Sequence, residues 1–244
     1  PAIGGAIAGF GGWRALFWIL AGMSIVGGTL ALRMLPETRL GDRRPLHPRR
    51  LAATYWAVMT HGGFLPLALS TAMIGGGFYL FLAASPFVLK GAGATPAFAG
   101  LYYSGVACSI MAGTLSVPMI VRRQPALLKP IATVSLGAGA TTILLVAAAG
   151  IPLAGLFAAM TLIAFGAGMT TPTLLAEAIE HQRERASAAT SLFGAFQMGG
   201  SALFSTLAVR LAPSHAIELG LIGALVAGAL AIRHFWMAAP AAKR

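Results

Sequence analysis

Residues 64–89 read FLPLALSTAMIGGGFYLFLAASPFVL, a run with no Asp, Glu, Lys or Arg. A helix needs ~20 apolar residues to cross a hydrocarbon core, and this run exceeds that length. The same absence recurs over 96–121, 152–176 and 187–209. A soluble domain of this size would place charges on so much helix surface. The expected fold is therefore an all-α polytopic membrane protein. Composition agrees: charged residues are 9% of the chain and hydrophobic residues 57%, against a usual charged share of ~25%.

Working outward from these runs, seven complete spans are expected at 14–35, 64–89, 96–121, 127–149, 152–176, 187–209 and 214–236. A stub, residues 1–10, is too short to cross. Alternate connectors then sort the cations. One side receives Arg33, Arg39, Arg43, Arg44, Arg49, Arg50, Arg122, Arg123, Lys129, Arg183, Arg185, Arg233, Lys243 and Arg244. The other receives only Arg14, Lys90 and Arg210. An excess of 14 over 3 among the 17 cations assigns the richer side, with the C-terminus, to the cytoplasm of a cell inner membrane. The net charge of +11 is explained by this bias, and no aromatic-rich basic face points to nucleic acid.

The connector 36–63 is expected to be cytoplasmic and basic in its first half. Its second half, Leu51 to Met59, suits a short interfacial helix with Tyr55 and Trp56 at headgroup depth. The expected organisation is 1–35 as the end of one helical bundle, 36–63 as linker, 64–236 as a six-helix bundle and 237–244 as a cytoplasmic tail.

Few residues can carry chemistry. Cys108 is the only cysteine, so neither a disulfide framework nor a thiolate metal cluster is expected. No intramembrane Ser–His pair, paired Asp or HExxH motif is present, and the histidines lie at span ends or in connectors. No enzyme, cofactor or metal is expected. Gly5 with Gly9, Gly75-Gly76-Gly77, Gly166 with Gly168, and Gly199-Gly200 thin their helices and favour close packing. Pro172, within Thr170-Thr171-Pro172-Thr173, removes a helical hydrogen bond. It is expected to kink its span, with the neighbouring threonines meeting the freed carbonyls.

Gln197 lies near the middle of its span, where an amide must face protein, water or solute. Phe78, Tyr79 and Phe81 form an aromatic group that suits either core packing or an apolar binding wall. All six acidic residues, Glu37, Asp42, Glu177, Glu180, Glu184 and Glu218, fall in connectors or near span ends. Glu177, Glu180 and Glu184 share a helical face beside Arg183 and Arg185, the makings of a cytoplasmic salt-bridge cluster or of a solvated helix end.

Several motifs together resemble a known family. Pro1-Ala2-Ile3-Gly4-Gly5 is similar to the end of the GPxxGG antiporter motif, and Gly12-Trp13-Arg14-Ala15-Leu16-Phe17 to the "gWRxxF" that opens the next helix in major facilitator drug exporters. Leu35-Pro36-Glu37-Thr38 resembles the "LPET" that closes the sixth helix. Ser85-Pro86-Phe87-Val88-Leu89, and the stretch from Ala188 to Gln197, resemble motifs of the bicyclomycin- and chloramphenicol-resistance (Bcr/CflA-like) branch. The resemblance spans nearly the whole chain.

It implies a major facilitator-like bundle running from mid fifth helix to the twelfth, with the earlier helices outside this sequence. It further implies proton-coupled efflux of small hydrophobic drugs by alternating access, with proton-carrying acids in those earlier helices. Thr71, Phe78, Tyr79, Met160, Thr170 and Gln197 become cavity candidates. Pro1, Gly4, Gly5, Gly199 and Gly200 become motif and packing residues, and Pro172 a gating kink. Arg122, Arg123, Glu177, Glu180, Arg183 and Glu184 are the cytoplasmic salt-bridge candidates. The second-half loop motif is degenerate, keeping Gly113, Arg122, Arg123 and Lys129 in order without the family's usual acidic residue. The expected partners are a small-molecule substrate, protons, the lipid bilayer and the missing N-terminal helices. A metabolite exporter for a sugar or amino-acid derivative, and a truncated membrane protein that transports nothing, are the alternatives.

Overall fold

A computed structural model describes residues 2–34, 47–61, 63–91, 93–149, 153–211 and 215–238. Pro1, the LPET stretch, the cations Arg39, Arg43 and Arg44, and residues 239–244 of the tail lie outside the described residues. Every regular element among the described residues is helical: α1 (Ala2–Met34), α2 (Pro48–Met59), α3 (Phe64–Gly91), α4 (Pro96–Arg123), α5 (Leu128–Ala149), α6 (Leu153–His181), α7 (Ala186–Leu211) and α8 (His215–Ala238). Two single turns of 3₁₀ helix, Pro125–Leu127 and Arg183–Arg185, lead into α5 and α7. Among the described residues, five stretches are long and apolar enough to cross a membrane: Gly11–Met34, Phe64–Gly91, Phe98–Arg123, Pro125–Ala149 and Ala154–His181. Gly220–Arg233 is a shorter apolar helix.

The chain divides into two compact units, Pro1–His47 and Pro48–Arg244. In the first, α1 is two helices joined at Gly12, whose φ of 69° and ψ of 171° fall in a region essentially restricted to glycine. The break falls between the expected stub and the first expected span. Trp13 stands edge-on to Phe17, and the Arg14 guanidinium lies 4.7 Å from the Trp13 ring centre.

In the second unit the helices pack by a repeated rule. α3 runs along α7 and α8, and α6 runs along α4 and α5, while α5 meets α8 and α3 meets α6. Exchanging α3, α4, α5 for α6, α7, α8 leaves this pattern unchanged, the signature of an internal three-helix repeat. Helix ends follow local chemistry. Thr95 caps α4, its Oγ1 accepting from the Phe98 amide at 3.3 Å with Pro96 in the first turn. Gly93, at φ 73°, turns the chain after α3.

Hydroxyls in these helices are mostly consumed internally, as burial away from water requires. Ser104, Ser109, Thr141 and Thr142 each donate to the carbonyl four residues earlier. Others staple helices together. Ser135 donates to the Leu162 carbonyl at 2.8 Å, and the Ser85 and Tyr103 hydroxyls are 2.8 Å apart.

Two apolar clusters result. The larger includes Phe81, Tyr102, Leu136, Ile143, Met160, Ile163, Ile222 and Val226. The smaller joins Val58, Phe64, Leu67, Ala68, Leu174, Ala178, Ala189 and Phe193. Val58 comes from α2, so this helix packs on α7 and α3 and groups with the second unit. Trp56, on the same helix, is 66% exposed.

Candidate functional site

Four helices of the second unit surround a cavity of about 510 Å³, inside the range of about 300–1,000 Å³ typical of small-molecule sites. α3 supplies Ile74, Gly75, Phe78 and Tyr79, and α4 supplies Ile110 and Thr114. α6 supplies Ala167, Gly168, Thr171, Pro172 and Leu175, and α7 supplies Thr190, Phe193, Gly194 and Gln197. Spacings of three and four place each set on one face of its helix. The cavity lies where the two apolar clusters meet: Ile74 and, at its margin, Phe78, Ile110 and Ala167 belong to the larger, Phe193 and Leu175 to the smaller.

The wall carries no formal charge among the described residues. Its polar groups differ in how far they are committed. Thr114 Oγ1 donates to the Gly168 carbonyl at 3.0 Å, and Thr190 Oγ1 to the Ala186 carbonyl at 2.9 Å. The Gln197 amide, the Tyr79 hydroxyl and the Thr171 hydroxyl make no hydrogen bond to another described residue. The Gln197 stem is fixed beside α3, because a Cβ built on Gly75 would lie 3.3 Å from Gln197 Cγ. Phe78 and Tyr79 stand edge to face at 5.9 Å. The arrangement offers an apolar and aromatic surface with a primary amide and two hydroxyls for orientation.

Of the residues the sequence nominated, Phe78, Tyr79, Gln197 and Pro172 stand on this wall. Thr71, Met160 and Thr170 do not: each is fully buried in packed interior. Thr171 takes the place expected of Thr170, since one residue rotates a helical side chain by about 100°. Met160 sits in the larger apolar cluster, above the wall-forming segment of α6. The Oγ1 atoms of Thr71 and Thr170 have no protein hydrogen-bond partner.

The repair of the ladder at Pro172 also differs from expectation. Pro172 leaves the Gly168 carbonyl, four residues earlier, without its helical donor. Thr173 instead donates to Met169 and Thr170, at 3.2 and 2.8 Å. The Gly168 carbonyl is met from α4, by Thr114. Ile110, Thr114, Thr190 and Phe193 were invisible as wall residues, because in an almost uniformly apolar span no polar face marks the side turned inward.

At the end of α6 the charged candidates separate. Glu177 pairs with Lys129 of α5, Oε1 to Nζ at 2.8 Å, and interacts electrostatically with Arg233 of α8. Glu180 pairs with Arg183 at 3.2 Å on an exposed surface. α6 ends at His181, so Glu184 lies in the following 3₁₀ turn, off the helical face it was expected to share. Glu180, Arg183 and Glu184 line a separate polar hollow of about 330 Å³ with His61, His181, Gln182 and Arg185. Arg122 and Arg123 are exposed, with no ion pair among the described residues. Among the packing candidates, a Cβ on Gly200 would lie 2.6 Å from Ala72 Cβ, whereas one on Gly199 meets open space. In α1, a Cβ on Gly4 would touch only Leu16, at 3.9 Å.

No group of three or more His, Cys, Asp or Glu among the described residues is placed to hold a metal ion. Neither the curated proteins nor the solved structures yield a match to this chain. The sequence profile of the Major Facilitator Superfamily matches residues 1–205. A helical bundle with an internal repeat, an uncharged cavity between its helices and a family match over most of the chain lead to one conclusion: this protein belongs to the Major Facilitator Superfamily of membrane transporters.

Proposed function

We propose that this chain serves proton-coupled export of small, uncharged, largely apolar solutes by alternating access, in the manner of the drug exporters its motifs resemble. The observation that carries the reading is the cavity wall: fifteen residues from four helices and no formal charge. A strongly anionic solute would need a cation at this depth to offset its desolvation, and a cationic one a carboxylate. Phe78, Tyr79 and Phe193 offer stacking surfaces, while Gln197, Tyr79 and Thr171 orient the solute by hydrogen bonds. Proton coupling rests on the resemblance to proton-coupled exporters alone. The bias of cations toward one side supports an inner-membrane protein with a cytoplasmic C-terminus. Residues 1–35 then end one bundle, and 64–236 form the second.

The test is accumulation of chloramphenicol, a neutral aromatic amide, by inverted membrane vesicles carrying the full-length protein. Gradient-driven accumulation above control vesicles, abolished by a protonophore, is expected. Accumulation of charged solutes alone, or none that depends on the proton gradient, contradicts the reading.

A further inference from the structure

The cavity wall contains a weak point that one side chain braces. α6 carries Pro172, so the Gly168 carbonyl lacks the amide donor that an unbroken helix would supply. α4 carries Pro118, which in the same way frees the carbonyl of Thr114. The two broken ladders meet. A Cβ added to Gly113 would collide with the Phe165 carbonyl oxygen of α6, and one added to Gly168 with the Ile110 carbonyl oxygen of α4. The backbones therefore touch, with glycine on each side of the crossing. At this contact Thr114 Oγ1 donates to the Gly168 carbonyl at 3.0 Å. The hydroxyl of one helix thus replaces the missing amide of the other.

We propose that Thr114 is a positioning residue whose hydroxyl substitutes for the absent Pro172 amide, braces α6 at its proline, and thereby fixes the wall formed by Ala167, Gly168, Thr171 and Pro172. The warrant is the cost of a bare carbonyl away from water. Without Thr114, the Gly168 carbonyl loses the donor that stands in for the Pro172 amide, and α6 gains by bending until the carbonyl is better met. With Thr114 in place, α4 and the proline segment of α6 move as one piece. The inference rests on backbone geometry and not on which solute the cavity takes, so it stands or falls separately from the export reading.

The test is a double-mutant cycle read as a distance. Spin labels are placed at Phe157 and Ala176, both exposed on α6, in full-length Cys108→Ala protein in nanodiscs. A straight helix separates these positions by about 28 Å. Thr114→Val keeps the side-chain shape and removes the donor; it is expected to broaden and shift the distance distribution. Thr114→Ser restores the donor and is expected to recover the parent distribution. In a Pro172→Ala background the alanine amide meets the Gly168 carbonyl, so Thr114→Val is expected to change nothing. Loss of stability alone would not move the distances within the folded fraction. An unchanged distribution in Thr114→Val, failure of Thr114→Ser to recover it, or an equal shift in the Pro172→Ala background overturns the proposal. Should Pro172→Ala fail to fold, the contrast between the valine and serine variants decides.

Discussion

A single hydroxyl or amide in this bundle matters according to what answers it. Gln197 lines the cavity and its amide is answered by no described residue, so it is available to a solute. Replacing it by leucine is expected to leave folding intact and to weaken chloramphenicol binding to the purified full-length protein about 10-fold, the value of roughly one hydrogen bond. Equilibrium titration in nanodiscs checks this; unchanged affinity would remove Gln197 from the site. Thr71 and Thr170 present the opposite case. Their hydroxyls are buried without a protein partner, so each forfeits hydration and regains nothing. Thr71→Val and Thr170→Val are expected to hold or raise the thermal midpoint, with a gain of up to about 1–2 kcal/mol, measured by unfolding of the detergent-solubilised protein. A marked loss at either position would show that the hydroxyl has work to do. At this scale the sequence was partly legible. A mid-span glutamine stands out because amides are costly in hydrocarbon, and Gln197 lines the cavity. A threonine does not stand out, because its hydroxyl can fold back on its own helix; nothing in the string Thr170-Thr171 tells which of the two faces inward.

Helices are held in register here by small residues at crossings more than by charge. Gly199 and Gly200 are neighbours in sequence, yet a Cβ on the second would press on Ala72 while one on the first meets open space. Gly199→Ala is therefore expected to be neutral or to stabilise by up to about 1 kcal/mol through helix propensity. Gly200→Ala is expected to cost about 1–3 kcal/mol by forcing α7 off α3. Equal thermal midpoints for the two variants would contradict this account of the α3–α7 contact. The Lys129–Glu177 pair joins α5 to α6, but Lys129 is about half exposed and water screens the attraction. Lys129→Ala is expected to lower stability by less than about 1 kcal/mol, an effect that shrinks as salt is added. A larger, salt-independent loss would indicate a desolvated pair. Element boundaries were the most legible part of the chain. Charge-free runs mark the spans, and the helices α3 to α8 cover them to within one residue at their starts, because cations and turn residues are confined to the ends. Pairings between helices were not legible, since apolar faces all look alike until the glycines that touch are known. Pro118 was passed over for the same reason: its effect appears only where α4 crosses α6.

For the whole molecule, the composition and the alternation of cations lead toward a polytopic membrane protein, the motifs resemble those of major facilitator exporters, and the profile match over residues 1–205 establishes that membership. The cavity was not legible from sequence at this scale, because it is made by four helices, α3, α4, α6 and α7, whose inward faces carry no common pattern. It lies between the two apolar clusters and has an uncharged wall, which supports the proposal that an apolar solute binds there. The most direct measurement is the alkylation rate of Gln197→Cys by N-ethylmaleimide, in full-length Cys108→Ala protein in its membrane, with and without chloramphenicol. The buried Met160→Cys serves as the unreactive control. The account predicts that the cysteine in place of Gln197 reacts readily, and that chloramphenicol slows it. A rate as low as the control, or a fast rate that chloramphenicol leaves unchanged, would contradict a solute-binding cavity at this site.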